Sequence, residues 1–221
     1  MKILYDAAHA FGVKYNDQSI CKYGDLSILS FHATKVFNTM EGGAIVCHDA
    51  DTKKQIDYLK NFGFADETTV LAPGINSKMN EMQAALGLLQ LKHFNENVSK
   101  RKIITEAYHD NLGDVKGISF LPEPVNTRSN YAYFPIFVDE VQYGAGRDEL
   151  YEKLKKKGIY GRRYFYPLIS DFPMYKDLDS ASPQNLRNAK KIAGQVICLP
   201  IYPDLEKETV NEICQIIRNR E

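Results

Sequence analysis

The alternation of apolar and polar positions divides the chain into two textures. Ile3-Leu4-Tyr5 reads as a short strand that starts at once, and residues 7–11 as a brief helical turn ending at Gly12. Residues 26–31 and 44–47 are apolar runs of strand length and read as buried strands. Residues 52–62 predict a helix with Ile56 and Leu59 on one face and Gly63 at its end. Residues 80–94 predict a stronger helix, because Met82, Ala85, Leu86, Leu89 and Leu91 make a wide apolar face. Residues 98–112 continue helical and stop at Gly113.

After that the pattern changes. Leu121-Pro122-Glu123-Pro124 is a linker-like break. Residues 131–138 alternate as a strand, and 147–157 form an amphipathic helix closed by Gly158. A helix over 183–193, a strand over 196–199 and a last helix over 206–218 follow, the last with Val210, Ile213, Cys214 and Ile217 inward. The second half is therefore a small α+β unit, and the reading sets two domains, 1–112 and 113–221. No internal repeat or low-complexity tract interrupts them.

Composition narrows the function classes. At 221 residues the chain can bury a sizeable core in one or two domains. Its 28 basic and 28 acidic side chains balance, so it carries no footprint for nucleic acid or an acidic membrane. Cys21, Cys47, Cys198 and Cys214 are far apart and form no CxxC pair. They read as reduced core thiols of a cytoplasmic protein, with no metal site and no disulfide frame. No apolar run is long enough to span a membrane, and Met1 to Asp6 turns polar too quickly for a signal peptide.

Against this ordinary background one residue stands out. Lys35 lies between the run Ile28-Leu29-Ser30-Phe31 and the turn Glu41-Gly42-Gly43 that leads into the next strand. A lysine held between two buried strands is either a tolerated loop charge or a reagent. The first strand delivers Asp6 at its C-terminal end, His9 follows three residues later, and the next strand delivers Ser30. Ligand sites in open α/β sheets gather at the carboxyl ends of strands. A carboxylate, an imidazole, a hydroxyl and an amine there suit pyridoxal 5'-phosphate, which needs a lysine for its Schiff base, a carboxylate for the pyridinium nitrogen and donors for its phosphate.

Each residue also has a structural reading. Asp6 can cap the following turn, since aspartate is a favoured N-cap. His9 and His32 can be packed imidazoles, and Ser30 can bond to backbone. Asn76 can hold a turn after Pro73-Gly74. Tyr160, Arg162, Arg163 and Tyr164 can be a solvated basic edge. On residue type alone both readings stand.

Longer stretches add a resemblance. "DAAHAFG" (6–12), "GDLSILSFHATK" (24–35) and "MEGGAIV" (40–46) together resemble the DegT/DnrJ/EryC1/StrS sugar aminotransferases. "GINSKMNEMQAALGLLQL" (74–91), "GIYGRRYFYPL" (158–168) and "ICLPIYPDL" (197–205) continue the likeness in the family's order over essentially the whole chain. The resemblance implies an α/β fold: part of a fold type I PLP-transferase large domain, a mixed sheet with helices, followed by the small α+β domain. It implies a homodimeric PLP enzyme that moves an amino group from L-glutamate to a nucleotide-linked keto sugar, for deoxyamino sugars of surface polysaccharide. Position by position, Lys35 resembles the Schiff-base lysine and proton carrier, and Asp6 the pyridinium partner. His9 falls near the cofactor's phenolic oxygen, and Ser30 matches a phosphate donor. Asn76 matches an asparagine that reaches the phosphate from the second subunit. His32 is a candidate to face the sugar, and Tyr160, Arg162, Arg163 and Tyr164 are candidates to line the sugar-nucleotide cleft.

Two departures qualify the likeness. Ile169 stands where the family often has histidine after Tyr-x-Pro-Leu. The family's chains also carry a long segment ahead of the strand that ends in Asp6, with phosphate ligands and a ring-stacking aromatic. The expectation is therefore a C-terminal part of an aminotransferase, and the alternative is an inactive remnant or a split subunit needing a separate N-terminal piece. A PLP-free lysine aldolase would not need Asp6, and a sugar dehydratase of the family would carry histidine in place of Lys35.

Overall fold

The computed structural model describes residues 1–219. In chain order its strands and helices are β1 (Leu4–Asp6), β2 (Lys14–Tyr15), β3 (Gln18–Ser19), β4 (Leu26–Ser30), β5 (Gly43–Cys47), α1 (Ala50–Leu59) and α2 (Glu81–Leu112). There follow β6 (Ile118–Phe120), β7 (Thr127–Arg128), β8 (Phe134–Val138), α3 (Glu140–Tyr143), α4 (Arg147–Lys156), α5 (Arg187–Gln195), β9 (Val196–Leu199) and α6 (Lys207–Arg218). They form two compact units. One is Met1–Val98 with Pro124–Ala132, the other Ser99–Glu123 with Tyr133 onward.

In the first unit β1 runs parallel to β4, with Asp6 opposite Ile28, and β4 runs antiparallel to β5, with Ser30 opposite Gly43. The sheet is therefore mixed. Side chains alternate between its faces, so Leu29 is buried while the register partners Ile28 and Ile45 are 41% and 48% exposed on the other face. Both runs were expected to be buried throughout; only one face has cover among the described residues. Gly43 is required here, because a Cβ would lie 2.7 Å from the Leu29 carbonyl oxygen. Phe11 stacks on Phe37 at 4.2 Å and meets Phe31 and Phe94 edge-on at 5.8 and 5.1 Å, which ties the turn after β1 to the β4–β5 loop. A second small sheet, in the order β3-β2-β7, brings Pro124–Ala132 back into this unit.

The second unit packs α4 and α6 against the antiparallel sheet β6-β8-β9. Its core includes Tyr108, Leu112, Ile136, Leu150, Ile197 and Ile213. Two buried tyrosine hydroxyls find partners: Tyr108 donates to the Pro200 carbonyl at 2.9 Å, and Tyr143 to that of Ile217 at 2.7 Å. Buried Arg147 donates to the carbonyls of Ala193 and Val196 at 3.0 and 2.8 Å. Burial pushes the Cys198 and Cys214 thiols up to about 11, as inert core thiols require, whereas Cys21 and Cys47 are only half-buried.

Several expected boundaries move. Residues 7–11 make two tight turns and no helical turn, since Asn130 occupies the carbonyls of His9 and Phe11. The helices expected at 80–94 and 98–112 are one, α2, because Asn95-Glu96-Asn97 contains no breaker. β8 starts at Phe134, since Tyr131 holds a left-handed φ of 51° that no strand tolerates. α5 begins four residues late, after the turn closed by the Leu186 amide on the Pro183 carbonyl. The boundary expected at 112/113 also differs from the observed units. Tyr108 and Leu112 at the end of α2 belong to the second core, and β7 pairs with β2 in the first unit.

Candidate functional site

Parallel β1 and β4 end at the same sheet edge, so Asp6 and Ser30 are presented together at the carboxyl ends of their strands. The β4–β5 loop that carries Lys35 is closed at its base. The Phe31 amide donates to the Gly42 carbonyl at 2.8 Å, and the Thr39 amide to the Phe31 carbonyl at 2.9 Å. Thr39 is buried, and its hydroxyl donates to the Glu41 carbonyl at 2.7 Å, while buried Phe37 anchors the loop in the aromatic cluster. Inside this frame the Lys35 amide donates to the His32 carbonyl at 2.9 Å, making a tight turn whose half-buried lysine points back to the β1 side.

There Lys35 Nζ lies 3.3 Å from His9 Nε2. Burial lowers the His9 pKa from its ordinary value, and the Lys35 charge lowers it further; Asp6 opposes both. The imidazole is thus neutral at pH 7. An ammonium has only donors, so against a protonated Lys35 the His9 Nε2 is the acceptor and the proton of the ring sits on Nδ1. Asp6 Oδ1 accepts from the Ala8 amide at 3.0 Å, so the turn-capping reading of Asp6 is realised. Among the described residues its other oxygen has no hydrogen bond. Ser30 Oγ accepts from the His32 amide at 3.4 Å, which leaves its O–H to donate.

The His32 ring makes its contacts within the β4–β5 loop. Its Nδ1 meets Thr34 Oγ1 at 2.9 Å, and its Nε2 lies 3.7 Å from Glu41 Oε1. Asn76 is exposed, forms a backbone bridge with Asn61, and has no hydrogen bond to Asp6, His9, Ser30 or Lys35 among the described residues. Tyr164 belongs to the second unit, where Arg162 donates to its hydroxyl at 2.5 Å and Tyr133 packs edge-on against it at 5.3 Å.

Sequence reasoning missed Asn130. It is buried, and its amide donates to the carbonyls of His9 and Phe11 at 2.8 and 3.0 Å, which fixes the turn that aims His9. No local signal marks an asparagine whose partner lies 121 residues earlier. Among the described residues no cluster of three or more His, Cys, Asp or Glu side chains forms a metal centre. No helix among them is long and apolar enough to cross a membrane.

The arrangement is a carboxylate and a hydroxyl at one sheet edge, with an imidazole against an amine on a braced loop. Comparison with known proteins gives this geometry a context. Residues 1–218 match the model of the DegT/DnrJ/EryC1/StrS aminotransferase family. The chain is 50% identical over 220 residues to an Escherichia coli dTDP-4-amino-4,6-dideoxy-D-glucose transaminase, covering 98% of this chain and 58% of that protein. Among solved structures, DesI crystallised in the presence of its TDP-sugar product superposes with a TM-score of 0.89 at 32% identity, over 99% of this chain and 55% of DesI. Helicobacter pylori PseC, an aminotransferase involved in the biosynthesis of pseudoaminic acid, superposes with a TM-score of 0.90 at 27% identity, over 100% of this chain and 59% of PseC. The chain thus spans somewhat over half the length of the proteins it matches, and its architecture is a partial fold type I aminotransferase fold.

Proposed function

Since this chain belongs to the DegT/DnrJ/EryC1/StrS aminotransferase family, whose members are PLP-dependent, we propose that its Lys35 site holds pyridoxal 5'-phosphate. The protein then transfers an amino group from L-glutamate to a nucleotide-linked keto sugar, of the dTDP-linked class that the E. coli relative's name describes. The observation that carries this reading is Lys35 Nζ, half-buried on a closed loop at the carboxyl edge of β1 and β4, with His9 at 3.3 Å.

The residues present fit the cofactor. Asp6 keeps a carboxylate oxygen without a hydrogen bond among the described residues, suited to a protonated ring nitrogen, and Ser30 keeps a hydroxyl donor suited to a phosphate oxygen. When bound, the ring supplies an electron sink for a deprotonated substrate carbon. The chain does the rest. Lys35 is the covalent anchor and, once its amine is released, the base that lifts and returns the substrate proton. His9, neutral at pH 7, accepts from the amine or a neighbouring O–H group without adding a second positive charge. His32 and Tyr164 are assigned to the sugar nucleotide, and Asn76 to the phosphate of a second subunit in a homodimer. The exposed apolar residues Met82, Leu88, Leu89 and Leu91 on α2 favour that assembly. The protein is assigned to the cytoplasm.

A second reading is favoured by the open sheet face bearing Ile28 and Ile45. In it the chain acts only with a further polypeptide segment covering that face, and is inactive by itself. Reduction of the protein with borohydride in the presence of PLP, followed by peptide mapping, tests the site. A single label on Lys35 is expected; label scattered over surface lysines sinks the assignment.

A further inference from the structure

Away from Lys35, the sheet β3-β2-β7 sets Lys14 directly opposite Arg128. Directly opposed residues of an antiparallel pair share a face, with β-carbons about 4.5–5.5 Å apart, and like charges so placed repel. Ser19 continues the same row on β3, opposite Lys14. Among the described residues no ion pair engages either cation, although Asp17 lines the same cleft. The cleft is about 480 Å³, bounded by Lys14, Asn16, Asp17, Asn126, Thr127 and Arg128. Its rim is built from two turns in which Asn16, Asp17 and Asn126 hold left-handed φ values of 47°, 60° and 57°. The Asn16 amide joins them by donating to the Asn126 carbonyl at 2.9 Å.

A cross-strand pair of unneutralised cations at a cleft rimmed by hydrogen-bonding side chains is complementary to an oxyanion. The volume lies in the range of small-molecule sites, about 300–1,000 Å³, larger than one inorganic phosphate needs. Two separated cations match two adjacent phosphoryl groups. We propose that the Lys14–Arg128 cleft is a binding site for an organic diphosphate, with Lys14 and Arg128 each neutralising one phosphoryl group and Thr127, Asn16 and Asn126 supplying neutral polar contacts. This does not rest on the aminotransferase reading, because none of these residues is assigned to the Lys35 site.

The test is calorimetric titration of the full chain with pyrophosphate and, separately, with dTDP at low salt. Measurable binding of both is expected, with affinity for each falling about tenfold in Lys14→Gln or Arg128→Gln and further in the double variant, the loss of one charge-assisted contact per substitution. Equal affinity for the two ligands assigns recognition to the diphosphate itself; tighter dTDP binding that weakens in the Lys14 and Arg128 variants adds the nucleoside as the natural source, and both outcomes support the site. Lys14→Glu guards against a folding artefact. It places a carboxylate opposite Arg128, so the thermal midpoint should rise while diphosphate binding is lost. Absence of binding by the wild-type chain at millimolar ligand, or unchanged affinity in the double variant or in Lys14→Glu, overturns the proposal.

Discussion

The Lys35 amine and the His9 imidazole lie 3.3 Å apart although 26 residues separate them. Two structures converge to produce this contact: the closed β4–β5 loop, and the turn after β1 pinned by Asn130. Its electrostatic consequence is measurable. The His9 resonances should titrate below the ordinary 6.5, because burial and the Lys35 charge both lower the pKa. Lys35→Met should move the midpoint up, and Asp6→Asn should move it further down, since Asp6 raises it. Stability follows by linkage. Above pH 6.5 His9 is neutral in both folded and unfolded chains; as pH falls below 6.5 the unfolded chain takes the proton first, and stability declines. His9→Gln should flatten that part of the stability profile in denaturant melts. A midpoint that falls in Lys35→Met would break the electrostatic account.

Asp6→Asn tests the other end of the proposed site. The amide still accepts a hydrogen bond from the Ala8 amide, so the turn survives, but a negative charge facing the ring nitrogen is gone. Cofactor should still bind, while the half-reaction with glutamate slows by about 10²–10³-fold, the usual scale for removing one preorganised electrostatic contact. Rapid-mixing absorbance with PLP-loaded protein measures it. Near-normal rates would leave Asp6 as a turn cap alone.

How much of this was legible before the structure depends on how local each feature is. The strand ends carrying Asp6 and Ser30 and the loop carrying Lys35 follow from short apolar runs and a Gly-Gly turn, all within 40 residues. The strands β2 and β3 are two residues each, too short for any period to show, although Asn16-Asp17 is a turn signal. Cover of a sheet face is a tertiary property, so the exposure of Ile28 and Ile45 could not be read from their hydrophobicity. Asn130 carries no local signal, because its partners, His9 and Phe11, are more than 100 positions away.

Asn130 therefore gives a stability prediction that the sequence did not. Asn130→Ala leaves the carbonyls of His9 and Phe11 without their donor, at a cost of about 1–3 kcal/mol in urea unfolding. Asn130→Asp should be at least as damaging, because a carboxylate has no N–H and would face two carbonyl oxygens. Unchanged midpoints in both variants would show that the turn after β1 holds itself.

The assembly assigned to this chain has a sharper test than sedimentation alone. Asn76 has no hydrogen bond to Lys35, Asp6 or Ser30 within the described chain, and is assigned to a second subunit's cofactor. If so, Lys35→Ala and Asn76→Ala damage different halves of a shared site. Each variant alone should be impaired. Mixed in equal amounts and allowed to exchange subunits, about half the dimers are mixed, and each mixed dimer regenerates one of its two sites with both residues intact. The mixture should then recover about a quarter of wild-type activity. Leu89→Lys, on the exposed apolar face of α2, should suppress both dimerisation and that recovery. If the mixture stays at the mean of the two separate variants while sedimentation shows dimers, Asn76 serves its own chain, and the shared-site assignment falls.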